Sequence, residues 1–243
     1  MGYLYDFHVH TKEGSACSIA PVRELVKYYR DRGFSGFILT DHFSGNTSFP
    51  DGISWEERVN RTWEIYDAAQ EECAKYGDFK VFFGIEFSLR SDPDNIREIL
   101  GNDFIVTNIT KEWMLENEDA FGLDFNAGFD KIRAAGGFIS HAHPFLEEDY
   151  IKSIQLLPRK IDAVEIINAY GTEMTNGAAK WYADTYNLPY TAGSDMHNIT
   201  MDNVMLAGVE TENECETVVD LINAVKNRQV KLFWKKADDM LKK

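Results

Sequence analysis

Hydrophobic and polar positions alternate along the chain in two rhythms. Short β-branched or aromatic runs fall at Leu4 to His10, Gly36 to Thr40, Lys80 to Phe87, Phe104 to Ile109, Gly137 to His141, Ala163 to Asn168, Tyr190 to Gly193 and Val204 to Val209. Such runs fit a pleated, half-buried surface and read as strands. Between them apolar positions recur at helical spacing. Pro21 to Arg32 opens with proline at a first-turn position and stops at Gly33. Ser54-Trp55-Glu56-Glu57 is a capping-box pattern that opens a long helix ending near Gly77. Asp92-Pro93 opens another, and Asn213 to Asn227 is the last clear helix. Strand–helix alternation with short connections predicts an α/β fold with a parallel sheet. Seven or eight such units predict closure into a barrel. An open doubly wound sheet is the competing architecture, but no Gly-x-Gly-x-x-Gly and no P-loop follows any strand.

The 243 residues fit one domain spanning 1–243, with 235–243 read as a short charged tail, a frayed helix. Hydrophobic residues make up 44% of the chain, enough to line a core, and no apolar run reaches the ~18 residues of a membrane span. Met1 to Asp6 lacks the basic and apolar regions of a signal peptide, and Gly2 lacks the following Ser or Thr of a myristoylation signal. Cys17, Cys73 and Cys215 are too few and too far apart for a disulfide framework or a zinc knuckle, so a cytoplasmic location is expected. The net charge of −15 repels a phosphate backbone, which argues against nucleic-acid binding.

All six histidines lie at or just past the carboxyl end of an expected strand. His8 and His10 close the first, His42 follows the second in Thr40-Asp41-His42, and His141 and His143 follow a later one in Ser140-His141-Ala142-His143-Pro144. His197 ends Gly193-Ser194-Asp195-Met196-His197. Residues two apart on a strand share a side, so His8 with His10, His141 with His143, and Asp195 with His197 are expected to face one cavity. Barrel sites form at the carboxyl ends of strands. Asp41, Glu86 and Asp195 occupy equivalent places and supply hard oxygen ligands among the imidazoles. That mixture, without thiolate, favours zinc, manganese or iron over calcium. Cys17 is a possible soft ligand, though a structural thiol is the simpler reading.

The His8-x-His10-Thr11, Thr40-Asp41-His42, Gly84-Ile85-Glu86, Ala142-His143-Pro144 and Gly193-Ser194-Asp195-x-His197 motifs appear in the order found in the PHP (polymerase and histidinol phosphatase) family, which the chain resembles along nearly its whole length. The resemblance implies a distorted seven-stranded TIM-like (β/α) barrel holding up to three divalent metals that hydrolyse phosphoesters. It implies that His8, His10, Glu86 and Asp195 form a first metal site, that Glu86 bridges to a second with His143, and that His42 and His197 belong to a third. Two family histidines are missing, one where this chain has Ala16-Cys17 and one aligned with Thr110, so one to three metals are expected. Glu112 in Ile109-Thr110-Lys111-Glu112 is a candidate to fill a gap. His141 stands where the family is usually apolar and is an extra ligand, an orienting group or a proton carrier.

A divalent ion would bring bound water toward neutrality in pKa and neutralise phosphoryl oxygens during an in-line displacement. Asp41, His42, Asp195 and His197 are the catalytic candidates, with the carboxylates or a histidine moving a proton to the leaving oxygen. Arg90 and Lys12 are candidates for clamping phosphate, and Glu165 for orienting an imidazole. Hydrolysis of a small phosphomonoester is the leading reading. A phosphodiesterase or exonuclease on nucleotides is the second, disfavoured for polymers by the charge. An amidohydrolase also uses His-x-His on its first strand, but the Thr-Asp-His and Gly-Ser-Asp-x-His motifs are not of that kind. A non-catalytic metal-binding protein is supported only by the two missing histidines.

Overall fold

The computed structural model describes residues 2–90, 99–149 and 151–241. The helix expected to open at Asp92-Pro93 lies outside them. The described residues contain nine strands: β1 (Tyr3–Val9), β2 (Gly36–Leu39), β3 (Lys80–Arg90), β4 (Ile99–Thr107), β5 (Phe138–His141), β6 (Ala163–Asn168), β7 (Tyr190–Gly193), β8 (Met205–Thr211) and β9 (Val230–Lys236). Six α-helices accompany them: α1 (Val22–Asp31), α2 (Trp55–Cys73), α3 (Lys111–Glu116), α4 (Phe125–Ala134), α5 (Glu173–Thr185) and α6 (Val218–Lys226). None is long and apolar enough to cross a membrane.

All nine strands join one sheet in the order β7-β6-β5-β4-β3-β2-β1-β8-β9. It curls until the chain just past β7 meets β1: Val9 bridges Met196 in parallel, His10 N donates to Met196 O at 3.0 Å, and Met196 N donates to His8 O at 3.3 Å. β1 to β7 thus form the expected nearly closed barrel. One strand breaks the expected parallel pattern. β4 runs antiparallel to both β3 and β5. Its carboxyl end, Thr107, pairs with Phe138 at the start of β5, so Thr110 and Glu112 emerge at the opposite mouth from the histidines. Its amino-terminal half instead places Asp103 opposite Ser88.

The hairpin β8–β9 extends the sheet antiparallel from β1. The expected frayed tail is therefore not a helix: Lys235 and Lys236 end β9, and Ala237–Met240 form one 3-10 turn with Ala237 buried. Lysines on an edge strand discourage pairing with another chain, and they also mask the strand's apolar alternation.

Local chemistry sets the boundaries. Ser54 Oγ accepts from Glu57 N at 3.1 Å to cap α2, and Thr217 and Asp220 form a reciprocal capping box on α6. In β1 the register against β2 shifts between Asp6 and Val9. Tyr5 and Phe7 pack with Ile38, Phe82, Phe138 and the α6 residues Leu221, Ile222 and Val225, whereas Val9 packs with Leu39 and the α1 residues Leu25 and Val26. Bulges re-aim side chains beside functional sites, and this one lets β1 fill the floor with Phe7 and still deliver His8 above it. Burying each such phenylalanine is worth about 1.5–3 kcal/mol. Stability therefore collects at one end of the barrel and the histidines at the other. Gly193 makes the junction possible: a Cβ there would stand 2.3 Å from His8 Cβ and 2.6 Å from Glu165 Oε1.

Candidate metal centre

Five of the six histidines converge with two carboxylates at the carboxyl ends of β1, β2, β3, β5 and β7. Three groups of ligand atoms form: His8, His10 and Asp195; His8, Glu86 and His143; and His10, His42 and His197. Glu86 lies between them. Its Oε1 is 3.2 Å from His8 Nε2 and 3.1 Å from His143 Nε2, while its Oε2 is 2.7 Å from His42 Nδ1 and 3.5 Å from His10 Nε2. Asp195 Oδ1 is 3.2 Å from His10 Nε2 and 3.5 Å from His8 Nε2. Two of these ligand candidates have left-handed backbone, His143 with φ 25° and Asp195 with φ 52°. Such conformations cost a non-glycine residue of order 1–3 kcal/mol and cluster at functional sites. Here they turn both side chains inward where the chain leaves its strand.

Polar groups behind the rings fix their orientation. Glu165 Oε1 is 3.1 Å from His8 Nδ1, and its Oε2 accepts from His143 N and from Asn168 Nδ2, each at 3.0 Å. Asn168 also donates to Asp195 Oδ2 at 3.2 Å. His10 Nδ1 is 2.9 Å from Ser15 Oγ, which donates to Asp41 Oδ1 at 2.7 Å. His197 Nδ1 donates to the Asp195 carbonyl at 2.7 Å. With these nitrogens occupied, the opposite ring nitrogens are directed at the centre.

The residues fit a metal. His8 Nε2, His10 Nε2, His42 Nδ1 and Glu86 Oε2 are buried without a hydrogen-bond partner. An unsatisfied buried polar atom costs roughly 1–3 kcal/mol, so four in one place mark a cation site rather than a packing choice. The electrostatics agree. Burial opposes ionisation of Glu86 and Asp195, but the surrounding imidazoles hold both carboxyls well below the usual range. Burial likewise opposes the charge on His143, yet its hydrogen bond to Glu86 and the Asp195 carboxylate push it up to about 9. His10, buried and facing His197 and His42, lies well below the ordinary imidazole value.

Several expected participants stand elsewhere. His141 is fully buried, stacks on Phe104 with centroids 4.4 Å apart and has no hydrogen bond at either ring nitrogen. Burial drives its pKa down to about 3, the state of a neutral core residue. The alternation argument fails for this pair because β5 ends at His141 and the turn at His143 swings that ring alone into the cavity. Asp41 points away from the cavity and accepts from Thr11 N at 2.6 Å, Thr11 Oγ1 at 2.7 Å and Ser15 Oγ. Lys12 and Arg90 do not line the cavity: Lys12 is exposed, and Arg90 donates to the Phe121 carbonyl at 3.0 Å. Glu112 is exposed on α3 at the other mouth.

The site opens into a cavity of about 670 Å³, lined among others by Cys17, Asn46, Ser88, Asp103, Leu146 and Tyr170. Asp103 is the participant that sequence reasoning missed. It is buried, hydrogen-bonded by Ser88 Oγ, and its pKa is raised by burial and then by the Glu86 charge. Its only signal was a carboxylate inside an apolar run, Asn102-Asp103-Phe104-Ile105-Val106. A larger hollow of about 900 Å³ at the opposite end, between the β1 start and α6, gathers no imidazoles.

The PHP domain family model matches residues 6–188, and a PHP-associated model matches residues 173–230. The chain belongs to the PHP domain family. Among solved structures, PsfC from Pseudomonas syringae superposes with a TM-score of 0.64 at 15% identity, over 97% of this chain and 93% of that one. The lesion-specific endonuclease PfuEndoQ from Pyrococcus furiosus gives 0.56 at 14% identity, over 96% of this chain but 58% of its own length. A candidate metal-dependent phosphoesterase from Bifidobacterium adolescentis gives 0.50 at 14% identity, over 93% and 96% of the two chains. At such identities these likenesses speak for the PHP fold. No curated protein matches this PHP sequence significantly.

Proposed function

We propose that the protein is a metal-dependent phosphatase that hydrolyses a small phosphomonoester, with one to three zinc, manganese or iron ions held by His8, His10, His42, Glu86, His143, Asp195 and His197. The observation that carries this reading is the convergence of unsatisfied imidazole and carboxylate atoms around Glu86. When bound, the ions would polarise phosphoryl oxygens and make water nucleophilic near neutral pH.

The chain's own residues supply the rest. Glu165 and Ser15 orient His8 and His10. Among the described residues the cavity lining carries no lysine or arginine, so ions and imidazoles must meet the phosphate charge. A lining of that kind, on a chain of net charge −15, favours a small ester over a nucleic-acid backbone. Leu146 and Tyr170 offer apolar surface to the organic part of the substrate. As water attacks phosphorus and the ester P–O bond breaks, the leaving oxygen needs a proton. Asp41 is committed to Thr11 and Ser15. Asp103, in the lining and outside the three ligand groups, has the raised pKa of a proton donor and takes that role. The three cysteines are unpaired, which fits a cytoplasmic enzyme.

The test is a comparison of phosphate release from a panel of small phosphomonoesters with cleavage of a phosphodiester and of single-stranded oligonucleotides, under the same metal. Preference for the monoesters is expected. Preference for the oligonucleotides would replace this reading with a nuclease one, for which the fold shared with PfuEndoQ gives a structural precedent.

A further inference from the structure

The three ligand groups differ in chemistry. Two contain a carboxylate, whereas His10, His42 and His197 are imidazoles alone. Neutral imidazoles leave the charge of a divalent ion uncompensated within the group. Cys17 borders this group from the cavity side, and its thiol hydrogen-bonds with both His42 and His197. The contact is built rather than incidental, because the loop carrying Cys17 is tied down on each flank. Ala16 N donates to Asn46 O at 2.8 Å, and Ser15 bridges Thr47. Ser18 Oγ donates to the carbonyls of His10 and His197, at 3.2 and 3.0 Å, and Ile19 N donates to His197 O at 3.0 Å. The residues on either side of the thiol are therefore fastened to the strand ends that carry the three rings. Independently, His10 Nε2 is fully buried, lacks a partner and points into this group, while its Nδ1 is taken by Ser15.

We infer that Cys17 is a metal ligand in this protein, supplying a thiolate to an ion held by His10, His42 and His197. Binding replaces the S–H bond with an S–metal bond and releases the proton to solvent, with no change of oxidation state. The thiolate makes this position softer than its two carboxylate-bearing neighbours. It therefore selects zinc or cobalt over manganese or magnesium, while the neighbouring positions accept the harder ions. The inference rests on the metal-centre reading above and adds a ligand and a selectivity to it.

The probe is cobalt(II), added to metal-stripped full-length protein and followed by absorption. Wild type is expected to show a thiolate-to-cobalt charge-transfer band in the near ultraviolet. Cys17→Ser and Cys17→His should lose that band, with Cys17→His keeping the full cobalt stoichiometry. In unmutated protein, alkylation of Cys17 by iodoacetamide, located by peptide mass spectrometry, should be suppressed when cobalt is bound. That arm needs no variant to fold. Visible cobalt bands without a charge-transfer band in wild type, or alkylation unaffected by cobalt, would overturn the role of Cys17 and leave the metal centre standing. Absence of any bound cobalt would overturn both.

Discussion

Glu165 grips His8 from behind: its Oε1 lies 3.1 Å from Nδ1, on the side of the ring away from Glu86. The contact assigns the proton to Nδ1 and leaves the Nε2 lone pair for a cation. The other oxygen of Glu165 accepts from His143 N and Asn168 Nδ2, so one carboxylate sets two ligand positions. In Glu165→Gln, an amide N–H₂ would face either those two donors or the imidazole N–H. Metal affinity, measured by titration against a competing chelator, should fall about 10–100-fold with the fold intact. An unchanged affinity would mean that His8 is held by packing alone.

Asp41 organises the site without touching the cavity, through Thr11 and through Ser15 to His10. Replacing it with asparagine confronts some of its three donors with an N–H₂. Metal-free Asp41→Asn should unfold in urea with a loss of roughly 1–3 kcal/mol relative to wild type. A variant as stable as wild type yet inactive would return Asp41 to a direct chemical role.

Protons and metal compete for the same nitrogens. In the metal-free protein the pKa of His143 is about 9, against burial, because Glu86 and Asp195 stabilise its charge. The folded value lies above the unfolded one. The attraction therefore stabilises the metal-free protein fully below about pH 6.5 and is lost as pH rises through about 9. Metal loading near pH 7 should release protons, and apparent affinity should climb with pH until about 9. Calorimetry in buffers of different ionisation enthalpy reads the proton count, and a count of zero at pH 7 would contradict the assignment.

Asp103→Asn preserves an acceptor for Ser88 and lies outside the ligand groups, so metal content should not change. Turnover of alkyl phosphates should drop by about 10²–10⁴-fold, the range for loss of a general acid. p-Nitrophenyl phosphate, whose leaving group needs no proton, should be affected far less. Equal losses on both substrates would assign Asp103 to positioning instead.

Much of this was legible in the residues. Periodicity gave the strands and the barrel, and the motifs gave five histidines, Glu86 and Asp195, because ligands at strand ends are coded locally. What escaped depends on direction and pairing. Nothing in Phe104 to Val106 reports that β4 is reversed, and that reversal moves Thr110 and Glu112 away and brings Asp103 in. His141 and His143 look equivalent by spacing, yet a left-handed turn at His143 separates a core ring from a ligand. Arg90 and Lys12 were placed by proximity in sequence, and proximity says nothing of where a long side chain ends. Cys17 sits one residue from a vacated family position, and only the folded loop shows its thiol against His42 and His197.

The most direct test is phosphate release from small phosphomonoesters by metal-stripped protein before and after addition of manganese or zinc, with Asp195→Asn alongside. Asp195 belongs to the His8–His10 ligand group and to the environment of His143. Turnover that appears only with metal, and is lost in the variant, is the result predicted. Equal turnover without metal, or an Asp195→Asn variant as active as wild type, would contradict the account.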